Sequence, residues 1–278
     1  MLRPVAMNFI FQDHFDAMER YSPVTQITAA TPSTRESDGV HILEEKLEIP
    51  PCEGLIERPR LIEKLEKSLS HFATTLVSGR AGTGKTSIAA AYARTRKNAA
   101  WFTVESSDIN WDVFASYLTE SVLRVIGGKG PVGDSLPAVT YPSPAAMATF
   151  FLDIISELET AEQDDRPLLV LDGIHHLFDA DWFGGFFNIL QPSLSETADL
   201  LLLCRSKPSY PLWRLRSKQR LDVIDEKTLA FDRDETMLLL EQVGRSQIEA
   251  ARIHAETFGR ISKLIPFISG DNPAKPRL

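Results

Sequence analysis

Eight consecutive residues, Gly79-Arg80-Ala81-Gly82-Thr83-Gly84-Lys85-Thr86, have the composition and spacing of a phosphate-binding loop. Polyphosphate oxygens need several donors at once, and glycines at 79, 82 and 84 permit a backbone whose N–H groups turn inward without Cβ clashes. Lys85 adds a mobile cation for β- and γ-phosphates. The Thr86 hydroxyl can ligate Mg²⁺ at the positive end of a following helix that begins with Ser87. A plain glycine-rich turn would need neither the Lys-Thr pair nor an apolar strand before it. The binding set is therefore Gly79, Arg80, Ala81, Gly82, Thr83, Gly84, Lys85, Thr86 and Ser87.

A carboxylate for the same metal stands at Asp172, which ends the apolar run Leu168-Leu169-Val170-Leu171. A carboxylate just past a buried strand lands at the C-terminal edge of a sheet, where ligands of open α/β folds gather. Thr86 and Asp172 together form the expected Mg²⁺ site. The next residue is Gly173, where many hydrolysing enzymes of this kind carry a second acid to orient the attacking water. Efficient hydrolysis is therefore not expected. Arg205 ends the apolar run Leu200–Cys204 and reads either as a sensor of the γ-phosphate or as a loop arginine paired with a surface acid. Two adjacent histidines, His175 and His176, should point in different directions on a helix or a strand, which argues against joint metal ligation. Glu105, after the apolar Ala99–Val104 run, is a candidate for water activation, with a solvated strand end as the plain alternative.

These residues need elements to position them. Thr74–Ser78, Ala99–Val104, Leu168–Leu171 and Asp199–Cys204 read as strands, and helical patterns separate several of them: apolar spacing over Leu61–Leu69, an alanine-rich run after the loop, Asp112–Ile126 and Ala145–Leu158. Strands alternating with helices predict a parallel α/β sheet of about five strands flanked by helices. Asp234–Val243 and Ile248–Phe267 look like a small helical C-terminal lid. The predicted division is 1–41 as extension and linker, 42–232 as the nucleotide-binding core and 233–278 as the lid. In the extension, Met7–Met18 could form a short amphipathic helix or a loose arm. The Gly- and Pro-rich stretch Gly127–Pro144 reads as an exposed loop.

The chain has 278 residues, 43% hydrophobic and 24% charged, which suits a soluble protein with an ample core. A net charge of -8 argues against a dedicated nucleic-acid surface, although Arg205, Lys207, Arg214, Arg216, Lys218 and Arg220 make a local basic patch. Cys52 and Cys204 form no C-x-x-C pair, so neither a metal cluster nor a disulfide framework is expected. With no apolar run of membrane-spanning length and no signal-peptide pattern, a cytoplasmic location with reduced thiols is expected.

Ile42–Pro50 followed by Ile56–Leu65 resembles the lead-in segment of STAND-class signal-transduction ATPases of the MalT and large LuxR type. Trp101–Glu105 with Asp108, Phe114, Tyr117 and Leu118 is similar to their second strand and following helix. Leu200–Arg205, Pro208, Leu212, Arg214–Arg216 and Thr228–Asp232 resemble their sensor strand and the approach to the lid. The likeness covers roughly residues 42 to 245. It implies an AAA+/STAND-like P-loop NTPase fold with the Leu200 strand beside the phosphate-loop strand. It also implies ATP or ADP as ligand with Mg²⁺, Lys85, Asp172 and Arg205 in catalytic or sensing roles, and Arg58 near the adenine or phosphate edge. The implied action is a switch: ADP holds the module closed, and ATP with an inducer favours an open, self-associating form. Gly173, a lid motif present only as Gly259-Arg260-Ile261, and the lack of a helix-turn-helix in this stretch depart from the family pattern. Three readings follow: a slow nucleotide switch, a competent ATPase whose water is held by Glu105, His175 or a partner chain, and an interaction module with structural nucleotide. Direct DNA or membrane binding is expected in none of them.

Overall fold

The computed structural model describes residues 41–52, 56–72, 74–125, 166–187, 198–206, 210–218 and 220–268. The extension with Met7–Met18, the Gly127–Pro144 loop, the Ala145–Leu158 helix, Lys207 and Pro208 lie outside the described residues. Within them, α1 (Pro59–Phe72) leads to β1 (Thr74–Ser78), the phosphate loop and α2 (Lys85–Ala93). Next come β2 (Ala99–Thr103), α3 (Trp111–Val125), β3 (Leu168–Asp172), β4 (Asp199–Cys204), α4 (Tyr210–Ser217), β5 (Asp222–Ile224) and the single turn α5 (Glu226–Leu229). Three helices end the described residues: α6 (Arg233–Glu241), α7 (Gln247–Thr257) and α8 (Ile261–Ile268).

The five strands form one parallel sheet in the order β2-β3-β4-β1-β5. This is the expected P-loop α/β fold, with β4 between the strands that carry the loop and Asp172. The fifth strand escaped the sequence reading because Asp222–Ile224 is too short to show a period. β4 is buried along its whole length, which explains its unbroken Leu run. Alternation sorts the side chains by face: Trp101, Val170, Leu201 and Leu203 join Leu61, Leu65, Leu69, Ile88 and Tyr92 of α1 and α2 in one core. Phe102, one residue on, stacks on Tyr117 of α3 at 5.1 Å. Burial of each such side chain contributes roughly 1.5–3 kcal/mol, so the two faces clamp the sheet and hold its C-terminal edge rigid.

The C-terminal helices pack around Leu240, Ala250, Ile253 and Leu264. The run Ile248–Phe267, read as one helix, is two. Phe258 (φ 53) and Gly259 (φ 66) both adopt left-handed backbone and end α7. A Cβ at Gly259 would run into the Phe231 carbonyl, whose own N–H donates to the Gly259 oxygen at 2.8 Å. Asp232 and Ser246 cap α6 and α7 in reciprocal boxes with Glu235 and Glu249. Among the described residues no helix is long and apolar enough to cross a membrane.

Candidate functional site

The sheet's C-terminal edge is laced by backbone bonds that bring separate exits together. Val104 N–H donates to Asp172, Gly173 N–H to Leu203 and Gly79 N–H to Cys204. Over this edge lies a cavity of about 330 Å³, lined by loop residues 81, 82 and 84–87 and by Glu105, Asp172, His175, His176 and Arg205 among others. Gly82 (φ 74) and Gly84 (φ 85) hold left-handed backbone, and nothing stands where their Cβ atoms would be. That hollow is a cradle only glycine leaves open. Gly79, Arg80 and Thr83 support the loop from outside the cavity lining: the Thr83 hydroxyl donates to the Arg80 carbonyl at 2.9 Å.

Lys85 is buried and donates to the carbonyls of Gly79 (2.7 Å) and Arg80 (2.8 Å). Burial holds its pKa below the usual lysine value. An ammonium bent back onto loop carbonyls is a charge ready for a better partner, and phosphate oxygens form charge-assisted bonds roughly twice as strong as neutral ones. Thr86 Oγ1 donates to Asp172 Oδ2 at 2.6 Å, so the two expected metal ligands meet. Burial pushes the Asp172 carboxyl up, with the Thr86 hydrogen bond and the Lys85 charge opposing. No cluster of three or more His, Cys, Asp or Glu suited to a metal occurs among the described residues. A hydroxyl and one carboxylate beside a phosphate cradle fit Mg²⁺, which completes its shell with phosphate and water.

Arg205 lines the same cavity and acts electrostatically on Lys85, Asp172 and His175. The histidines do not diverge. Their rings lie 4.1 Å apart at 35°, both on the cavity, because Gly173 (φ 93) throws the chain into a 3-10 turn over Ile174–Leu177. Burial, with help from His176 and Arg205, pulls the His175 pKa down to about 4, and its buried Nδ1 has no hydrogen-bond partner. An orphaned ring nitrogen over a phosphate-loop cavity is a further sign of a polar ligand.

Two candidates turn elsewhere. Arg80 faces outward and pairs with Glu226, its Nη2 2.6 Å from Oε1, while its backbone N–H meets Oε2 at 3.2 Å. These bonds hold Glu226 down to about 2. Arg58 is not brought to the cavity. Its Nη2 donates to the carbonyls of Leu229 and Ala230 (both 3.0 Å) and to Glu235 (2.8 Å), and its guanidinium lies over the Phe231 ring at 4.0 Å. Burial raises the Glu235 carboxyl, but hydrogen bonds from Arg58 and Arg60 outweigh it and leave the group below its usual value. The sequence reading missed both partners and also Lys46, which is buried on Asp108 (2.7 Å) and reaches Glu105 at 3.2 Å. The one available signal was the Asp232-x-x-Glu235 spacing, which announces a helix start but not its arginine.

Residues 54–184 match the AAA ATPase domain family. The HTH-type transcriptional regulators MalT of Yersinia pestis and Yersinia pseudotuberculosis are each 26% identical to the chain over 215 residues, or 76% of it. The chain spans only 23% of those relatives' length. Among solved structures, a Walker-type ATPase of Pyrococcus abyssi superposes with a TM-score of 0.51 at 14% identity, covering 80% of this chain and 69% of that one. Loop, sheet order and these likenesses agree on a P-loop ATPase fold, with the AAA ATPase domain match over residues 54–184 and a resemblance to the MalT regulators.

Proposed function

We propose that the chain is an ATP- and ADP-binding switch of the STAND type with slow turnover, acting in the cytoplasm. The observation that carries this reading is the convergence of Lys85, the Thr86–Asp172 pair and Arg205 on one cavity, at the exits of adjacent strands β1, β3 and β4. Loop amides and the start of α2 hold the phosphates, and Lys85 leaves its carbonyl partners to meet them. Mg²⁺, when bound, neutralises charge between the β- and γ-phosphates; Thr86 and Asp172 would hold it. Arg205 distinguishes the triphosphate from the diphosphate. Turnover is slow because no carboxylate directly follows Asp172: that position is Gly173.

Moving such a module from 1:99 to 99:1 needs about 5.5 kcal/mol of differential binding, which contacts to one γ-phosphate and its metal are large enough to provide. The path outward runs through Glu226 and the α5–α6 connection, which touches both the loop through Arg80 and the lid through Arg58. The relatives are transcriptional regulators by name. For this chain the corresponding output is nucleotide-dependent self-association or engagement of a protein partner.

Calorimetry tests the site: Lys85→Ala and Asp172→Ala should abolish Mg-ATP binding while circular dichroism stays unchanged, and undiminished affinity refutes the assignment. Size exclusion tests the switch: ATP-loaded protein should associate and ADP-loaded protein should not. Identical elution with both nucleotides would favour a structural nucleotide instead.

A further inference from the structure

Gly173 raises a question that the fold answers. Its backbone is left-handed (φ 93), and a Cβ there would run into the Val104 carbonyl oxygen. The exit of β2 therefore crosses the place from which a side chain at 173 would start. Val104 is tied there by its N–H bond to the Asp172 carbonyl, 2.7 Å. The residue that this crossing delivers to the cavity is Glu105. Among the described residues lining the cavity, the carboxylates are Asp172 and Glu105, and Asp172 is engaged by the Thr86 hydroxyl.

We propose that Glu105 is the carboxylate that orients the attacking water for γ-phosphate hydrolysis, and that Lys46 is its positioning residue. This rests on the reading of the cavity as a Mg-ATP site. Lys46 is suited to the task because it is itself fixed. Its ammonium is bound to both oxygens of buried Asp108 at 2.7 Å, lies 4.7 Å from the Tyr117 ring centroid and reaches Glu105 Oε2 at 3.2 Å. Asp108 also accepts the Glu105 backbone N–H at 2.8 Å, so main chain and side chain of Glu105 are both referred to one buried ion pair. The Glu105 side chain also accepts the Asp108 backbone N–H in a reciprocal cap, and at 58% exposed it is within reach of water while held from two sides. In the reaction the water oxygen bonds to the γ-phosphorus as the bond to the bridging oxygen breaks, leaving that electron pair on ADP. The water proton passes to the Glu105 carboxylate and then to released phosphate or solvent.

The reading ties turnover to the lead-in segment. Any movement of the turn Glu44–Lys46 displaces the carboxylate without disturbing the phosphate cradle, so ATP could be held but not cleaved.

The experiment is single-turnover hydrolysis of Mg-ATP by the full chain, with chromatography of the nucleotide the protein retains and calorimetric affinity alongside. Glu105→Gln keeps the side chain's shape and its acceptor for Lys46. It should slow cleavage by about 100-fold, leave affinity within about twofold, and yield protein carrying ATP where the wild type carries ADP. Lys46→Met should lower the rate at unchanged affinity, and Lys46→Arg should restore most of it. Wild-type rate in Glu105→Gln with binding intact overturns this proposal alone. Loss of affinity in step with rate in Glu105→Gln also overturns it. Failure of the wild type to bind Mg-ATP overturns both this proposal and the reading beneath it.

Discussion

At the scale of single residues, the cavity is built from groups whose pKa burial has moved. His175 is the clearest case. It titrates near 6.5 when unfolded and is pulled down to about 4 in the fold, facing His176, Lys85 and Arg205. Between those values the unfolded chain binds the proton and the folded one refuses it, so its contribution is complete above pH 6.5 and fades as pH falls towards 4. Thermal melting of the wild type should therefore drop across that window, and His175→Asn should drop less. Equal slopes for the two proteins would remove His175 as the cause. The residue types were legible in the sequence, because Gly79–Thr86 and Asp172 declare themselves by spacing. The direction of the two imidazoles was not, because it depends on a 3-10 turn set by Gly173 that no hydrophobic period announces.

At the scale of elements, the clasp between Arg58 and the start of α6 joins the lead into α1 to the helices α6–α8. Both side chains are buried, 7% and 8% exposed. Removing Glu235 strands the Arg58 charge, so Glu235→Ala should cost about 3–5 kcal/mol in denaturant unfolding, and Arg58→Ala should cost less because Arg60 still reaches Glu235 at 3.0 Å. Arg58→Met with Glu235→Leu should recover much of that loss; failure to recover it would mean that the carbonyl bonds to Leu229 and Ala230 carry the clasp. Four strands and the helices α1, α2 and α3 could be read from apolar runs and helical spacing. The pairings could not. Arg58 and Glu235 are 177 residues apart in sequence, and Lys46 and Asp108 are 62 apart. A local pattern records what a residue buries, not which distant group it meets.

At the scale of the whole molecule, the sheet is uneven. β4, in the middle, is paired on both sides along its length, whereas β5 closes one side with only three residues matched to Thr75–Val77 of β1. The C-terminal helices follow that short strand, and the glycine-rich loop follows its partner. The thinnest seam of the sheet thus lies between the cradle and everything C-terminal to it, where opening costs least. Deuterium uptake should be quickest at residues 222–224 and slowest along 200–203. Saturating Mg-ATP, by gripping the end of β1, should slow uptake at that seam more than anywhere else in the sheet. Uniform protection would mean that the sheet opens as one piece. If the proposed switch operates, its output is a change in how often an edge strand peels.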